Sequence, residues 1–342
     1  MRSSLRFFAM RLAGALSAVL GASIISFVVL RAVPSDPARL ILGPHADADQ
    51  VRALSRSLGL AQSLPEQYWH YISAFVQGDW GYSFTAGASV RSIILSRAGA
   101  TVELALISFA WAFSAAVVLA LLVTYRSRPL LDRIARGVAF AGLGLPQFWL
   151  GLLLLLVFSH TLGVFPGPEG RISPSINPPA SVSGLYTIDT LLALQPATFF
   201  DALWHLALPS FCLSFFSFGF LFRLLRSSLL EMGREPFLLV VRGKGMSRWA
   251  AFSRHALPNS FLPTLTASAL VFADLLGGSV LVETVFDWPG LGQFVVQSIQ
   301  RLDYSVVQAF ILLSAVAYVV VNLVIDGLYG ILDPRIRLGR AQ

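Results

Sequence analysis

Charge is what this sequence has least of. Only 13% of its 342 residues are Asp, Glu, Lys or Arg, while 56% are hydrophobic. A soluble domain carries about 25% charge and about 45–50% apolar residues. The deficit excludes a surface that faces water on every side, so part of the surroundings must be lipid. Cysteine is nearly missing too. Cys212 stands alone inside an apolar run, which excludes an intrachain disulfide and leaves it a packing role. The five histidines, His45, His70, His160, His205 and His255, show no H-E-x-x-H or other metal spacing. No serine is paired with a recognisable base, so an intramembrane enzyme has no visible machinery. No G-x-x-x-x-G-K-[ST] loop occurs, which excludes ATP hydrolysis by this chain through a P-loop. Internal repeats of about 20–50 residues and low-complexity tracts are absent as well.

What is present is long apolar stretches. A helix needs about 20 such residues to cross about 30 Å of hydrocarbon. Six stretches qualify: Leu12–Leu30, Leu104–Tyr125, Gly137–Leu162, Leu203–Phe222, Phe261–Val282 and Val306–Tyr329. Runs such as Leu150–Phe158 are apolar at nearly every position, which excludes the alternation of a membrane barrel strand. Arg2, Arg6 and Arg11 precede the first stretch, but it is too long for a signal-peptide core, so it is read as a retained helix.

Arginine placement sets the orientation. With both termini, the Arg126–Arg136 loop and the 223–260 loop in the cytoplasm, 17 of the 25 Lys and Arg fall on that side. This is the positive-inside pattern, and it makes nucleic acid an unneeded explanation of the +7 net charge. The reading is an all-α integral membrane protein, one transmembrane domain over 1–342 with both termini cytoplasmic. Its external segments are 31–99, helical in periodicity around Asp49–Leu60, and 163–202, rich in Pro, Ser and Gly and expected to be ordered but irregular. A shorter external loop covers 286–305. Glu103 and Glu283 fall near the external ends of their spans, within expected reach of water.

The 223–260 loop is the one long cytoplasmic segment. Glu235-Pro236 makes a helix start, with Pro at the first helical position. The run Phe237–Val241 is too short to span and stops at Arg242-Gly243-Lys244-Gly245. Ser247 is a plausible N-cap for a second helix over Arg248–Ala256. A helix, glycine turn and helix of this kind suits a soluble partner. A basic amphipathic segment lying on anionic lipid satisfies the same pattern.

The loop also carries a resemblance. Glu235-Pro-Phe-Leu-Leu-Val-Val-Arg-Gly-Lys-Gly-Met-Ser247, then Arg254-His-Ala-Leu-Pro-Asn259 and Leu262-Pro263, is similar to the EAA loop of the dipeptide, oligopeptide and nickel ABC importer permeases. Arg31–Pro37, Gly78–Ser83, Pro146–Gly151, His205–Pro209, Glu283–Gly292, Asp303-Tyr304 and Asp333–Arg337 resemble further motifs of that family. Gly184–Thr190 is nearest to its dipeptide-type branch. Departures from the family form are Pro236, Phe237, Val241 and Gly243.

The resemblance implies a type I ABC importer permease fold with six transmembrane helices in the bacterial inner membrane. It implies a second homologous permease, two ABC ATPase subunits that bind the ATP and Mg, and a periplasmic or lipid-anchored substrate-binding protein. This chain itself would hold no cofactor. Glu235, Phe237, Arg242, Gly243, Lys244 and Gly245 would couple to the ATPase. The substrate would be dipeptides or oligopeptides, with nickel, glutathione or opine-like compounds as the alternative. A secondary transporter is the reading from another class. It needs intramembrane ionisable relays, and buried acids are few here.

Two more groups of residues follow. Asp274 lies near the middle of the fifth stretch, beside Gly277-Gly278, at a depth where a carboxylate needs a cavity or a partner. The three residues are expected to line a substrate path. Pro146 and Pro209 are expected to kink their spans. Trp288, Pro289, Gly290 and Gly292 are expected to form an external lid or a dock for the binding protein. An interfacial aromatic anchor is the other reading of Trp288.

Overall fold

The computed structural model describes residues 2–32, 37–43, 45–57, 59–126 and 128–332. Positions 33–36 of the first motif and the Asp333–Arg337 motif lie outside the described residues. Helices α1 (Arg2–Ala32), α2 (Pro37–Leu42), α3 (Ala48–Ser57) and α4 (Leu64–Val76) come first. An antiparallel hairpin follows, β1 (Tyr82–Ser83) with β2 (Ala88–Ser89). Next are α5 (Val90–Tyr125), α6 (Pro129–Gly144) and α7 (Gln147–Leu154), which continues as a π-helical stretch, Leu155–Thr161. The chain goes on with α8 (Tyr186–Leu192), α9 (Pro196–Met232), α10 (Pro236–Gly243) and α11 (Arg248–Ala251). A π-helical stretch, Phe252–Ala256, leads into α12 (Leu257–Gly278), followed by α13 (Val280–Val285), α14 (Leu291–Gln300) and α15 (Tyr304–Leu332).

Among the described residues, four helices are long and apolar enough to cross a bilayer unaided: α1 over Ala13–Ala32, α5, α9, and α15 over Tyr304–Val324. The other two expected spans are bent pairs. The expected span Gly137–Leu162, with a kink expected at Pro146, is the pair α6 and α7, which meet at 111°. The cause is Pro146. It has no N–H to offer the helix, and it holds Leu145 in the extended region, φ −88° and ψ 130°. The fifth span bends by 45° ahead of Pro263. Pro209, by contrast, sits inside an unbroken α9.

Contacts divide the chain into two compact units, 1–98 with 294–342, and 99–293. In the first, α1 packs along α15. Phe27 of α1 meets Tyr68 and Tyr71 of α4, and the Ser23 and Tyr68 hydroxyls lie 2.7 Å apart. The hairpin is tied to buried Asp303, which accepts from Ser83 Oγ at 2.5 Å and Thr85 Oγ1 at 2.7 Å. The periodicity around Asp49–Leu60 is α3; α4 and the hairpin were not expected. Helix α4 starts at Ser63, whose N–H and hydroxyl both donate to the Glu66 carboxylate. Those bonds, the hydroxyl's first, hold the Glu66 carboxyl below its ordinary range.

The second unit is built around α9, which packs on α6, α7, α8 and α12. Small residues let α6 and α9 cross closely. A Cβ on Gly219 would lie 2.5 Å from Ala139 O, and one on Gly142 would lie 2.6 Å from Phe215 O. Arg226 of α9 grips Asp132 of α6 with two bonds, Nε to Oδ1 at 2.5 Å and Nη2 to Oδ2 at 2.8 Å. The 163–202 segment is irregular up to α8, as expected. Burial opposes charge on Asp189, yet the Ser183 hydroxyl and the amides of Ser183, Val182 and Gly184 bring its carboxyl below the ordinary range.

Candidate functional site

The cytoplasmic-loop sequence folds as a helix, a turn and a second helix. Glu235 takes the extended N-cap conformation and Pro236 the first helical position of α10. After Gly243 the helix closes on itself. Lys244 N–H donates to Val240 O at 3.1 Å, and Gly245 turns the chain at φ +90°. A residue with a side chain rarely adopts that angle. Ser247 then caps α11, its Oγ accepting from Ala250 N–H at 3.2 Å.

The loop has an inside and an outside. Leu238, Ala251 and Ala256 form a small core with Met232, Val241, Met246 and Phe252 packed around it. Val241, one of the departures from the family form, is therefore interior packing. Phe237, Leu239, Val240, Arg242, Gly243, Lys244 and Gly245 are exposed, and Leu239 keeps 67% of its surface. An apolar ridge flanked by basic residues is thus left on a short helix that is itself held in place. Residues outside the expected set do the holding. The Arg248 guanidinium lies 5.4 Å from the Tyr125 ring and its Nη2 donates to Tyr125 O at 3.0 Å. Trp249 and Phe252 contact the same ring. The sequence signal for this anchor was an aromatic at the end of α5 and an Arg-Trp pair after the turn.

On α12, Ser260, Thr264, Ala267, Ser268, Val271 and Leu275 are buried. The opposite stripe, Pro263, Leu270, Asp274, Gly277 and, on α13, Leu281 and Thr284, is exposed in this chain. Asp274 is the one charged group of that stripe. Gly277-Gly278 ends α12, and a Cβ on Gly277 would meet open space.

The external motif is placed differently from expectation. Trp288 is 1% exposed, with Nε1 donating to Ala100 O at 2.9 Å. Gly290 and Gly292 are buried as well, and Pro289 is half-buried. A Cβ on Gly290 would fall 2.5 Å from the Glu283 carboxylate, and one on Gly292 would fall 2.7 Å from Val280 Cα. Glu283 is fully buried and accepts from Thr101 Oγ1 and Ser279 Oγ at 2.8 Å and from Gln293 N–H at 2.9 Å. The lid or dock expected of Trp288, Gly290 and Gly292 is corrected. Their atoms wrap a buried carboxylate and present no face to a partner. The interfacial-anchor reading of Trp288 fails for the same reason.

The expected water contact of Glu103 and Glu283 is also corrected. Glu103, 1% exposed, accepts from Arg171 Nη2 at 2.5 Å and from Thr187 N–H at 2.6 Å. The Arg171 guanidinium in turn lies 3.6 Å from the Tyr186 ring centroid. These partners are 68 and 84 residues away in sequence from Glu103, which is why composition did not reveal them.

Comparison with known proteins follows the same outline. Residues 112–338 match the family model described as binding-protein-dependent transport system inner membrane component, and residues 4–105 match its N-terminal companion. The probable D,D-dipeptide transport system permease protein DdpB of Escherichia coli (strain K12) is 39% identical over 96% of both chains. The di/tripeptide transport system permease protein DppB of Pseudomonas aeruginosa (strain UCBPP-PA14) is 36% identical, over 97% of this chain and 99% of the relative. The glutathione transport system permease protein GsiC of Escherichia coli (strain K12) is 34% identical over the same shares. Near-complete coverage, matching motifs and four to six apolar spans agree, and the chain belongs to the binding-protein-dependent transport system inner membrane components, the membrane pore subunits of ABC importers.

Proposed function

We propose that this chain is one of two permease subunits of an importer for dipeptides or short oligopeptides. In this reading a homologous permease completes the pore, and two ABC ATPase subunits bind ATP and Mg and hydrolyse ATP. A periplasmic or lipid-anchored protein delivers the peptide. Both termini face the cytoplasm, and no catalytic step belongs to this chain. The observation that carries the coupling half is the exposed ridge of α10, fixed from behind by its small core. Glu235, Phe237, Arg242, Gly243, Lys244 and Gly245 are the residues of that ridge and its turn. The peptide half rests on the D,D-dipeptide and di/tripeptide permeases that are 39% and 36% identical to this chain. A second substrate reading, glutathione, rests on the 34% relative. Asp274 and Gly277 lie on the α12 stripe that this chain leaves uncovered, and Gly278 follows Gly277 at the end of α12. A lone carboxylate there suits an aqueous path better than lipid.

The test of substrate class is calorimetric titration of the partner substrate-binding protein with L,L-dipeptides, D,D-dipeptides, glutathione and nickel. Tight binding of dipeptides is expected. Selective binding of glutathione or nickel would replace the peptide assignment.

A further inference from the structure

A cavity of about 360 Å³ lies in the second unit, between the end of α5, the end of α9 and the loop helices. Its size falls in the range of small-ligand sites, roughly 300–1,000 Å³. Three arginines line it, Arg234, Arg242 and Arg248, and no acid does. None of the three forms an ion pair among the described residues. Glu231 and Glu235 are near in sequence but outside the lining. The rest of the wall is largely apolar: Leu229, Leu230, Leu238, Leu239 and Phe252.

The level of the cavity is also fixed. Helix α5 is apolar up to Tyr125, which lines the cavity, and Arg126 follows. By length and composition, the cytoplasmic end of this candidate span falls there. Tyr125, Trp249 and Phe252 cluster there, with Trp249 exposed, as aromatic residues do at a membrane interface. A ligand for this cavity therefore needs an anionic head that arginine can fork, an apolar body, and access from the interface. A carboxylate side chain of a soluble subunit meets the first need and leaves the leucine wall unfilled.

We propose that this cavity binds the phosphate headgroup of an anionic phospholipid, with the start of its acyl chains on the leucine wall. Basic pockets among transmembrane helices are suited to such headgroups. Arg242 lines the cavity and also belongs to the exposed face of α10, whereas Phe237, Gly243 and Lys244 lie outside the lining.

The test is native mass spectrometry of the purified full-length chain in detergent, with added phosphatidylglycerol or phosphatidylcholine of identical acyl chains. Retention of phosphatidylglycerol is expected to exceed that of phosphatidylcholine at least tenfold. Arg234→Gln, at a side chain with no ion pair among the described residues, should lower that preference several-fold, and Arg234→Gln with Arg248→Gln should abolish it. A charge-matched control, Arg91→Gln with Arg301→Gln, should retain it. Equal retention of the two lipids, or an unchanged preference in both arginine variants, would overturn the site. Competition by soluble glycerol phosphate at concentrations equal to the lipid would make it a free-phosphate site and overturn the lipid assignment. Loss of ATPase co-purification in Arg234→Gln, with lipid retention unchanged, would make the arginines a protein contact and overturn it equally.

Discussion

Among single residues, the buried pair Glu103–Arg171 shows how much of this protein is decided by a few polar groups. Both side chains are shielded from solvent, 1% and 7% exposed, and the ion contact is 2.5 Å. Removing one partner of such a pair strands a buried charge, at a cost of about 3–5 kcal/mol. Arg171→Leu is expected to lose about that much stability, read as a lower midpoint of thermal unfolding in detergent. Glu103→Gln combined with Arg171→Leu should recover part of the loss, because no charge is then stranded. An unchanged midpoint in the single variant would contradict the pairing. Asp274 is the opposite case, a carboxylate left uncovered on an apolar stripe. Asp274→Asn keeps the shape and removes the charge. Assembly and basal ATP hydrolysis of the complex should survive, while uptake of cationic peptides should fall more than uptake of neutral ones. Equal loss for all peptides would assign Asp274 to helix packing.

For the elements, the coupling loop turns on Gly245. A Cβ there meets no atom of this chain within 4 Å, so the cost of a side chain comes from φ +90° and from whatever docks outside. Left-handed backbone costs a residue with a side chain about 1–2 kcal/mol. Gly245→Ala tests that strain alone, and Gly245→Leu adds bulk at the partner surface. If α10 seats in an ATPase groove, co-purified ATPase should fall much further in Gly245→Leu than in Gly245→Ala, with both variants still in the membrane. Identical yields would remove α10 from the contact. The loop was legible in sequence because its signals are local: Glu235-Pro236, the Gly243–Gly245 stop and the Ser247 cap. Pro146 was equally visible, but the 111° between α6 and α7 was not, since a proline marks a break without setting its angle. Trp288-Pro-Gly-Leu-Gly292 was misread for a related reason. Its glycines leave room for a carboxylate, Glu283, and one of the bonds to that carboxylate comes from Thr101, 182 residues earlier in the chain.

Across the whole molecule, hydropathy predicts six spans, where the described residues form four long apolar helices and two bent pairs, and arginine placement predicts both termini in the cytoplasm. A cytoplasm-active reporter fused behind the last residue should be active, and a periplasm-active one silent. Strong periplasmic activity there would reverse the topology and put the 223–260 loop on the wrong side for an ATPase. Orientation, ridge and uncovered stripe together make one claim: ATP hydrolysed against the loop moves peptide past α12. The most direct measurement is uptake of a radiolabelled dipeptide into proteoliposomes holding the assembled importer, with its binding protein outside and ATP sealed inside. Uptake should require the enclosed ATP and should collapse with Gly245→Leu. Uptake driven by a proton gradient without ATP, or full uptake by the Gly245→Leu complex, would contradict it.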